Sequence, residues 1–162
     1  MKNKRPLIVF LMVMLGTITF RMITHSAPKD PAAKTTLLDV QNNKVELSQF
    51  KGKVLIACYF QTWCRPCREE QIELMQLQQH YGDQLKIVMI TDESFDKVVQ
   101  MNSVIHSDLT YYRSEKPLKK IGIRRYPITY LLNKKDEKVF AKVEETDWYN
   151  DETIKTIDKL LQ

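Results

Sequence analysis

The chain has 162 residues, 43% of them hydrophobic and 28% charged; this suits one globular domain with a short appendage and excludes a multi-domain machine or a wholly disordered protein. Its three cysteines are too few for a disulfide-dense mini-scaffold or a four-cysteine zinc site. A formal net charge of +5, from 25 basic and 20 acidic residues, admits a nucleic-acid or membrane partner, and where the excess sits decides between them.

In chain order, the excess comes first. Lys2, Lys4 and Arg5 precede an apolar run from Leu7 to Phe20, Arg21 follows it, and no acid occurs before Asp30. With these four cations set aside, 21 basic and 20 acidic residues remain from Ala27 onward. The body is therefore nearly neutral, no basic patch for nucleic acid stands out, and no nucleic-acid partner is expected. A basic cluster ahead of an apolar run is a membrane-targeting pattern, because the cations stay on the cytoplasmic side while the run inserts. As a helix, Leu7–Phe20 reaches about 21 Å, and the longer stretch from Pro6 to Ile23 gains span if Arg21 snorkels to the far headgroups. Thr24-His25-Ser26 is a poor cleavage site and Pro28 follows Ala27, so residues 1–27 read as an uncleaved signal-anchor in preference to a removed signal peptide. The expected location is the cytoplasmic membrane, single-pass, with the body on the extracytoplasmic side, or the periplasm if the segment is cut. Disulfides persist there.

Residues 28–34 (PKDPAAK) form a linker, and one domain is expected over residues 35–162. Thr35–Val40 and Val45–Leu47 flank Gln41-Asn42-Asn43-Lys44, a hairpin turn in which Asn tolerates positive φ. Lys53–Phe60 (KVLIACYF) is a continuous apolar run that suits a central strand buried on both faces. A helix is predicted from near Cys64 to Tyr81, stopped by Gly82, with Ile72, Met75 and Gln79 on one side and Leu74, Leu77 and Tyr81 beside them. Gln84–Thr91 reads as a second buried strand. Phe95, Val98, Val99 and Asn102 have helical spacing, and Leu118 and Ile121 suggest one short turn more. Ile128–Leu132 and Lys138–Val143 read as an antiparallel hairpin, and Asp151–Leu161 as a closing helix with Ile154, Ile157, Leu160 and Leu161 inward. The predicted order is hairpin, β-α-β-α, β-β-α, an α/β fold.

The chemistry lies at Trp63-Cys64-Arg65-Pro66-Cys67. Two cysteines two residues apart, on the first turn of a helix that follows a strand, can close a small disulfide ring. The helix N-terminus stabilises a thiolate on the first of them, and Arg65 adds a positive charge. Pro66 is tolerated because a first-turn N–H has no helical partner to lose. Cys64 is expected to be the exposed nucleophile and Cys67, one turn deeper, the resolving thiol. A permanent disulfide or half of a zinc site are the other readings; His25, His80 and His106 are scattered without ligand spacing, so no metal and no cofactor is expected.

The segment Lys53–Glu70 resembles the active-site strand and helix start of the thioredoxin superfamily. The run Val45–Lys53 (VELSQFKGK) ahead of the strand, the WCxPC motif and the N-terminal anchor resemble the membrane-anchored, extracytoplasmic thiol-disulfide oxidoreductases of the TlpA/ResA type, which include reductases serving cytochrome c maturation. The resemblance spans roughly Thr35 to Gln162 and implies a thioredoxin fold: a central mixed sheet flanked by helices, here with an N-terminal β-hairpin extension. It implies that Tyr126-Pro127 is the cis-proline loop, whose proline packs against the disulfide and whose preceding residue binds substrate backbone. It implies that Glu70, three residues past Cys67, is an acid beside the thiols that takes a proton during resolution; a solvated helix residue is the plain alternative. The substrate-contacting set is then Trp63, Arg65, Pro66, Tyr126 and Pro127. The implied partners are disulfide-bearing protein substrates and a membrane thiol protein that donates electrons.

The chain also departs from that family. Six residues before Cys64, where an Asp or Asn is usual, stands Cys58, which reads as inert core, with exchange against the pair as the other possibility. Phe60, Gln61 and Tyr126 differ from the usual residues at what should be the substrate surface. Trp63 is expected beside the disulfide, and Trp148 in the core or near the last helix. Two other classes compete. One is a membrane-anchored copper-binding, metallochaperone-like module with His80 or His106. The other is a thiol peroxidase, disfavoured because Thr62 lies two residues before Cys64 where a Thr-x-x-Cys setting is needed.

Overall fold

The computed structural model describes residues 36–144 and 147–162, with Phe10, Met12 and Met14 as isolated helical positions. The expected anchor and linker otherwise lie outside the described residues; among those described, no helix is long and apolar enough to cross a membrane. The strands are β1 (Leu37–Leu38), β2 (Lys44–Val45), β3 (Val54–Tyr59), β4 (Leu85–Thr91), β5 (Thr110–Ser114), β6 (Ile128–Leu132) and β7 (Lys138–Val143), and the helices are α1 (Arg65–Tyr81), α2 (Phe95–Ile105) and α3 (Asp151–Leu161).

These strands form one sheet in the order β2-β1-β5-β4-β3-β6-β7. β3 lies between β4, to which it is parallel, and β6, to which it is antiparallel. All six of its residues are buried, as an unbroken apolar run requires. Its side chains alternate between two cores. Val54, Ile56 and Cys58, with Phe60 just past the strand, join Leu74 and Leu77 of α1, Val98 and Met101 of α2, Ile157 of α3 and Trp148. Leu55, Ala57 and Tyr59 join the opposite core, covered by Leu47 and by Leu118, Ile121 and Ile123. The mixed sheet is thus flanked by α-helices on one face and by short 3-10 turns, Leu47–Phe50 and Leu118–Ile121, on the other.

The N-terminal hairpin forms as predicted, with Asn42 at φ 64° in its turn. α1 runs to Tyr81 and stops at Gly82, whose φ of 53° is strained for any residue with a Cβ. β5 adds a strand that the local pattern does not predict: Thr-Tyr-Tyr-Arg-Ser neither alternates cleanly nor runs apolar, and it becomes a strand because β4 on one side and β1 on the other offer it ladders. Of the two sides expected for α1, the one buried on the sheet holds Cys67, Glu70, Gln71, Leu74, Leu77 and Tyr81, and Ile72 is exposed.

α3 begins where the Asn150 side chain accepts the Thr153 N–H at 2.9 Å, satisfying a first-turn donor that otherwise has no partner. Asn150→Ala is expected to cost about 1 kcal/mol, measured as a lowered urea midpoint at unchanged m-value.

Candidate active site

β3 delivers the chain to the site. Phe60 N–H still donates to Ile90 O at 2.9 Å; then Gln61-Thr62-Trp63 turns and Cys64 caps α1. The Cys64 and Cys67 sulfurs are bonded at 2.08 Å, with Cα atoms 5.3 Å apart. Cys64 Sγ also accepts the Cys67 N–H at 3.2 Å, so the cap of α1 is itself a sulfur. In the reduced protein that N–H and the helix dipole both favour a thiolate there.

Cys64 is 5% and Cys67 1% exposed. The order matches the expectation, yet Cys64 is much less open than predicted, since it belongs to the helix-side core against which Tyr126 also packs. Arg65 extends into solvent and pairs with Glu69 at 3.0 Å, so much of its charge is offset and screened before it reaches the sulfur. Pro66 sits exposed in the first turn of α1.

The Tyr126–Pro127 peptide bond is cis. Ile128 pairs with Tyr59 across the β6–β3 ladder, which sets Pro127 at the end of the sheet where β3 leads to the cysteines. Trp63, the residue before Cys64, turns its ring outward. It is 69% exposed and its ring meets Tyr126 edge-on at 6.1 Å. Phe60 and Gln61, expected at the surface, are buried: Phe60 packs on Tyr111, and Gln61 donates to Asp92 Oδ1 at 2.6 Å. Asp92 also accepts the Leu118 N–H at 2.8 Å, while Glu93 accepts the Thr62 N–H at 2.5 Å. These two acids hold the loop ahead of Cys64. They come from the chain after β4, and no local motif marks them.

Glu70 is fully buried, not solvated. It follows Cys67 by one turn on the same face of α1, where residues three apart are neighbours. Its Oε2 accepts the Cys58 thiol at 3.3 Å. Cys58 faces Thr129 across the β3–β6 ladder, and Glu70 Oε1, the Thr129 hydroxyl and Trp148 Nε1 are buried without a hydrogen-bond partner among the described residues. Burial pushes the Glu70 carboxyl up to about 7, against the nearby donors of Thr129, Cys58 and Trp148, which pull it down. Burial, and then the Glu70 charge, push the Cys58 thiol well above its ordinary range. Cys58 is therefore a poor nucleophile, as an inert core residue should be, but it serves as a donor to Glu70. Trp148 is core, stacked on Phe140 at 5.5 Å.

His80 is near the far end of α1, about 22 Å along the helix from its start, beside Tyr81 and Tyr149. His106 caps the end of α2, where the chain has returned to the opposite edge of the parallel strands. Neither histidine approaches the cysteine pair, and no cluster of three metal-ligating side chains occurs among the described residues.

A family model described as the AhpC/TSA family matches residues 28–140. The chain belongs to that family. Among named relatives, the thiol-disulfide oxidoreductase ResA of Bacillus thuringiensis subsp. konkukian is 25% identical over 172 residues, covering 97% of this chain and 99% of ResA. The thioredoxin-like protein YneN of Bacillus subtilis is 30% identical over 105 residues, 62% of each chain. Among solved structures, the thiol:disulfide interchange protein DsbE of Chlorobium tepidum superposes with a TM-score of 0.70 at 18% identity, over 85% of this chain and all of that one. A thiol-disulfide oxidoreductase of Bacteroides vulgatus reaches 0.64 at 25% identity, over 77% and 90%. These likenesses bear out the thioredoxin-like fold, and with the bonded pair at the head of α1 the AhpC/TSA-family chain is a thiol-disulfide oxidoreductase.

Proposed function

We propose that this oxidoreductase works as a reductase of extracytoplasmic proteins, held to the cytoplasmic membrane by residues 1–27. The Cys64 thiolate attacks one sulfur of a substrate disulfide and expels the other as a thiolate, giving a mixed disulfide. Cys67 passes its proton to the Glu70 carboxylate and attacks Cys64 Sγ. The Cys64–Cys67 bond forms and the second substrate sulfur leaves as a thiolate; one substrate thiolate takes the proton from Glu70 and the other a proton from solvent, so the substrate departs as a dithiol with two electrons gained. A membrane thiol protein restores the dithiol, which an anchored domain meets at raised effective concentration. Trp63, Arg65, Pro66, Tyr126 and Pro127 form the surface the substrate chain crosses.

The observation that carries this reading is the sulfur cap of α1 with a fully buried carboxyl one turn behind it; burial raises that carboxyl to about 7, and a group with a pKa near 7 accepts and returns a proton efficiently at neutral pH. The reductase direction, and cytochrome c maturation as its setting, are supported by the resemblance to the ResA branch. The full-length chain is expected to accelerate insulin disulfide reduction by dithiothreitol, and Cys64→Ser to return the rate to that of dithiothreitol alone. Wild-type protein with no acceleration sinks the reading. A midpoint potential near that of thioredoxin, about −270 mV, fits a reductase, whereas one near −120 mV reverses the direction.

A further inference from the structure

The nearly neutral body hides an uneven distribution of charge. Lys116, Lys119, Lys120, Arg124 and Arg125 crowd one stretch, with no acid between Glu115 and Asp136. Within it, Lys119, Lys120 and Arg124 line one surface hollow whose remaining wall is Tyr126. The three cations are exposed, and none has a carboxylate partner among the described residues; Arg125, by contrast, pairs with Glu144 at 3.5 Å. The acids on that side are already engaged, Asp92 by Gln61 and Leu118 and Glu93 by Thr62 and Lys97. The hollow therefore presents uncompensated positive charge.

Its position is tied to the dithiol. Leu118, Ile121 and Ile123 are buried and pin the basic turn to the sheet-side core. Asp92 links the turn, through Leu118 N–H, to Gln61 in the loop ahead of Cys64. Tyr126 forms the hollow's wall, meets Trp63 edge-on and precedes Pro127. A chain that reaches Cys64 along the Trp63–Tyr126 surface passes this hollow.

We propose that the hollow receives an acidic segment of the substrate protein, lying beside the cysteine that Cys64 attacks. The inference rests on the thiol-exchange reading and adds the substrate's charge to it. Exposed charges at the edge of a contact act mainly on the rate of encounter, and salt weakens them. A flat anionic lipid surface would also meet these cations, but it brings no disulfide to the recess at Cys64.

The test follows a single turnover of the fully reduced full-length chain with three peptides. Each carries one disulfide, flanked by Asp and Glu, by neutral residues, or by Lys and Arg. The acidic peptide is expected to react about tenfold faster than the basic one at low ionic strength, the size that a few exposed ion pairs supply. The preference should fall toward unity in 1 M salt, where the Debye length is about 3 Å. In the charge-reversed variant K119E/K120E/R124E the preference should invert, with the neutral peptide as the reference within each protein. Equal rates for all three peptides overturn the inference and leave thiol exchange standing, whereas no reaction with any peptide overturns thiol exchange itself. A preference that survives in the variant, or binding to phosphatidylglycerol vesicles without any peptide preference, also overturns it.

Discussion

Cys64→Ser is expected to lose disulfide exchange by at least about 1,000-fold, because a serine hydroxyl at the same cap is a far weaker nucleophile than a thiolate and nothing else in the site replaces it. Cys58 does not substitute: it is fully buried and its thiol is held protonated. Cys67→Ser is expected to behave differently. Cys64 remains, keeps its cap position and still attacks, but the mixed disulfide no longer resolves. The variant should accumulate as a covalent enzyme–substrate adduct, visible by mass and on a non-reducing gel. The opposite pattern, adducts with Cys64→Ser and none with Cys67→Ser, would exchange the two roles. The assignment follows burial and capping together, since Cys64 is the more exposed residue and its sulfur accepts a helical N–H.

The second large effect belongs to Glu70. Its folded-state pKa, about 7 against an ordinary 4.5, is raised chiefly by burial. A raised carboxyl pKa means the folded protein binds the proton more tightly than the unfolded chain, so stability is fullest below about pH 4.5 and declines as pH rises through 7. The decline amounts to about 3 kcal/mol, at 1.36 kcal/mol for each pH unit between the two values. Glu70→Gln keeps the shape and removes the titration. The oxidised variant is therefore expected to match wild type near pH 4.5 and to exceed it by up to about 3 kcal/mol at pH 8. Urea unfolding at both pH values measures this. The same variant should resolve mixed disulfides more slowly above pH 7, where the wild-type carboxylate is present to accept the Cys67 proton. A variant with the wild-type pH dependence of both stability and resolution would remove Glu70 from the proton path.

Much of the scaffold could be read from local pattern. A short, continuous apolar run that follows the Lys51-Gly52 turn suits a buried strand, and β3 is one. Gly82 stops α1 because its backbone adopts a positive φ. β5 escaped because its strand character comes from its neighbours: Thr110–Ser114 has a weak pattern and two waiting partners. The partner of Trp63 was hidden for a related reason: its ring meets Tyr126, more than sixty residues on, and stays largely exposed.

The excess of positive charge divides in the same way. Four cations belong to the N-terminal segment, where three of them precede the apolar run and one follows it. The remaining body sums to near neutrality, and that sum concealed an acid-free basic stretch from Lys116 to Arg125. The fold adds that three of its cations share one hollow with Tyr126.

Sequence alone therefore determined the chemistry available: a cysteine pair at helical spacing, placed between a buried strand and a helix, with a proline before the next antiparallel strand. Those are short-range properties, set by what residues a few positions apart can do together. Tertiary structure decided which groups are active and in what state. The Glu70 proton is held chiefly by burial, opposed by Thr129 from β6, Cys58 from β3 and Trp148 from the approach to α3, and the loop ahead of Cys64 is held by acids from beyond β4. Burial and charge act through space, and residues far apart in sequence supply both.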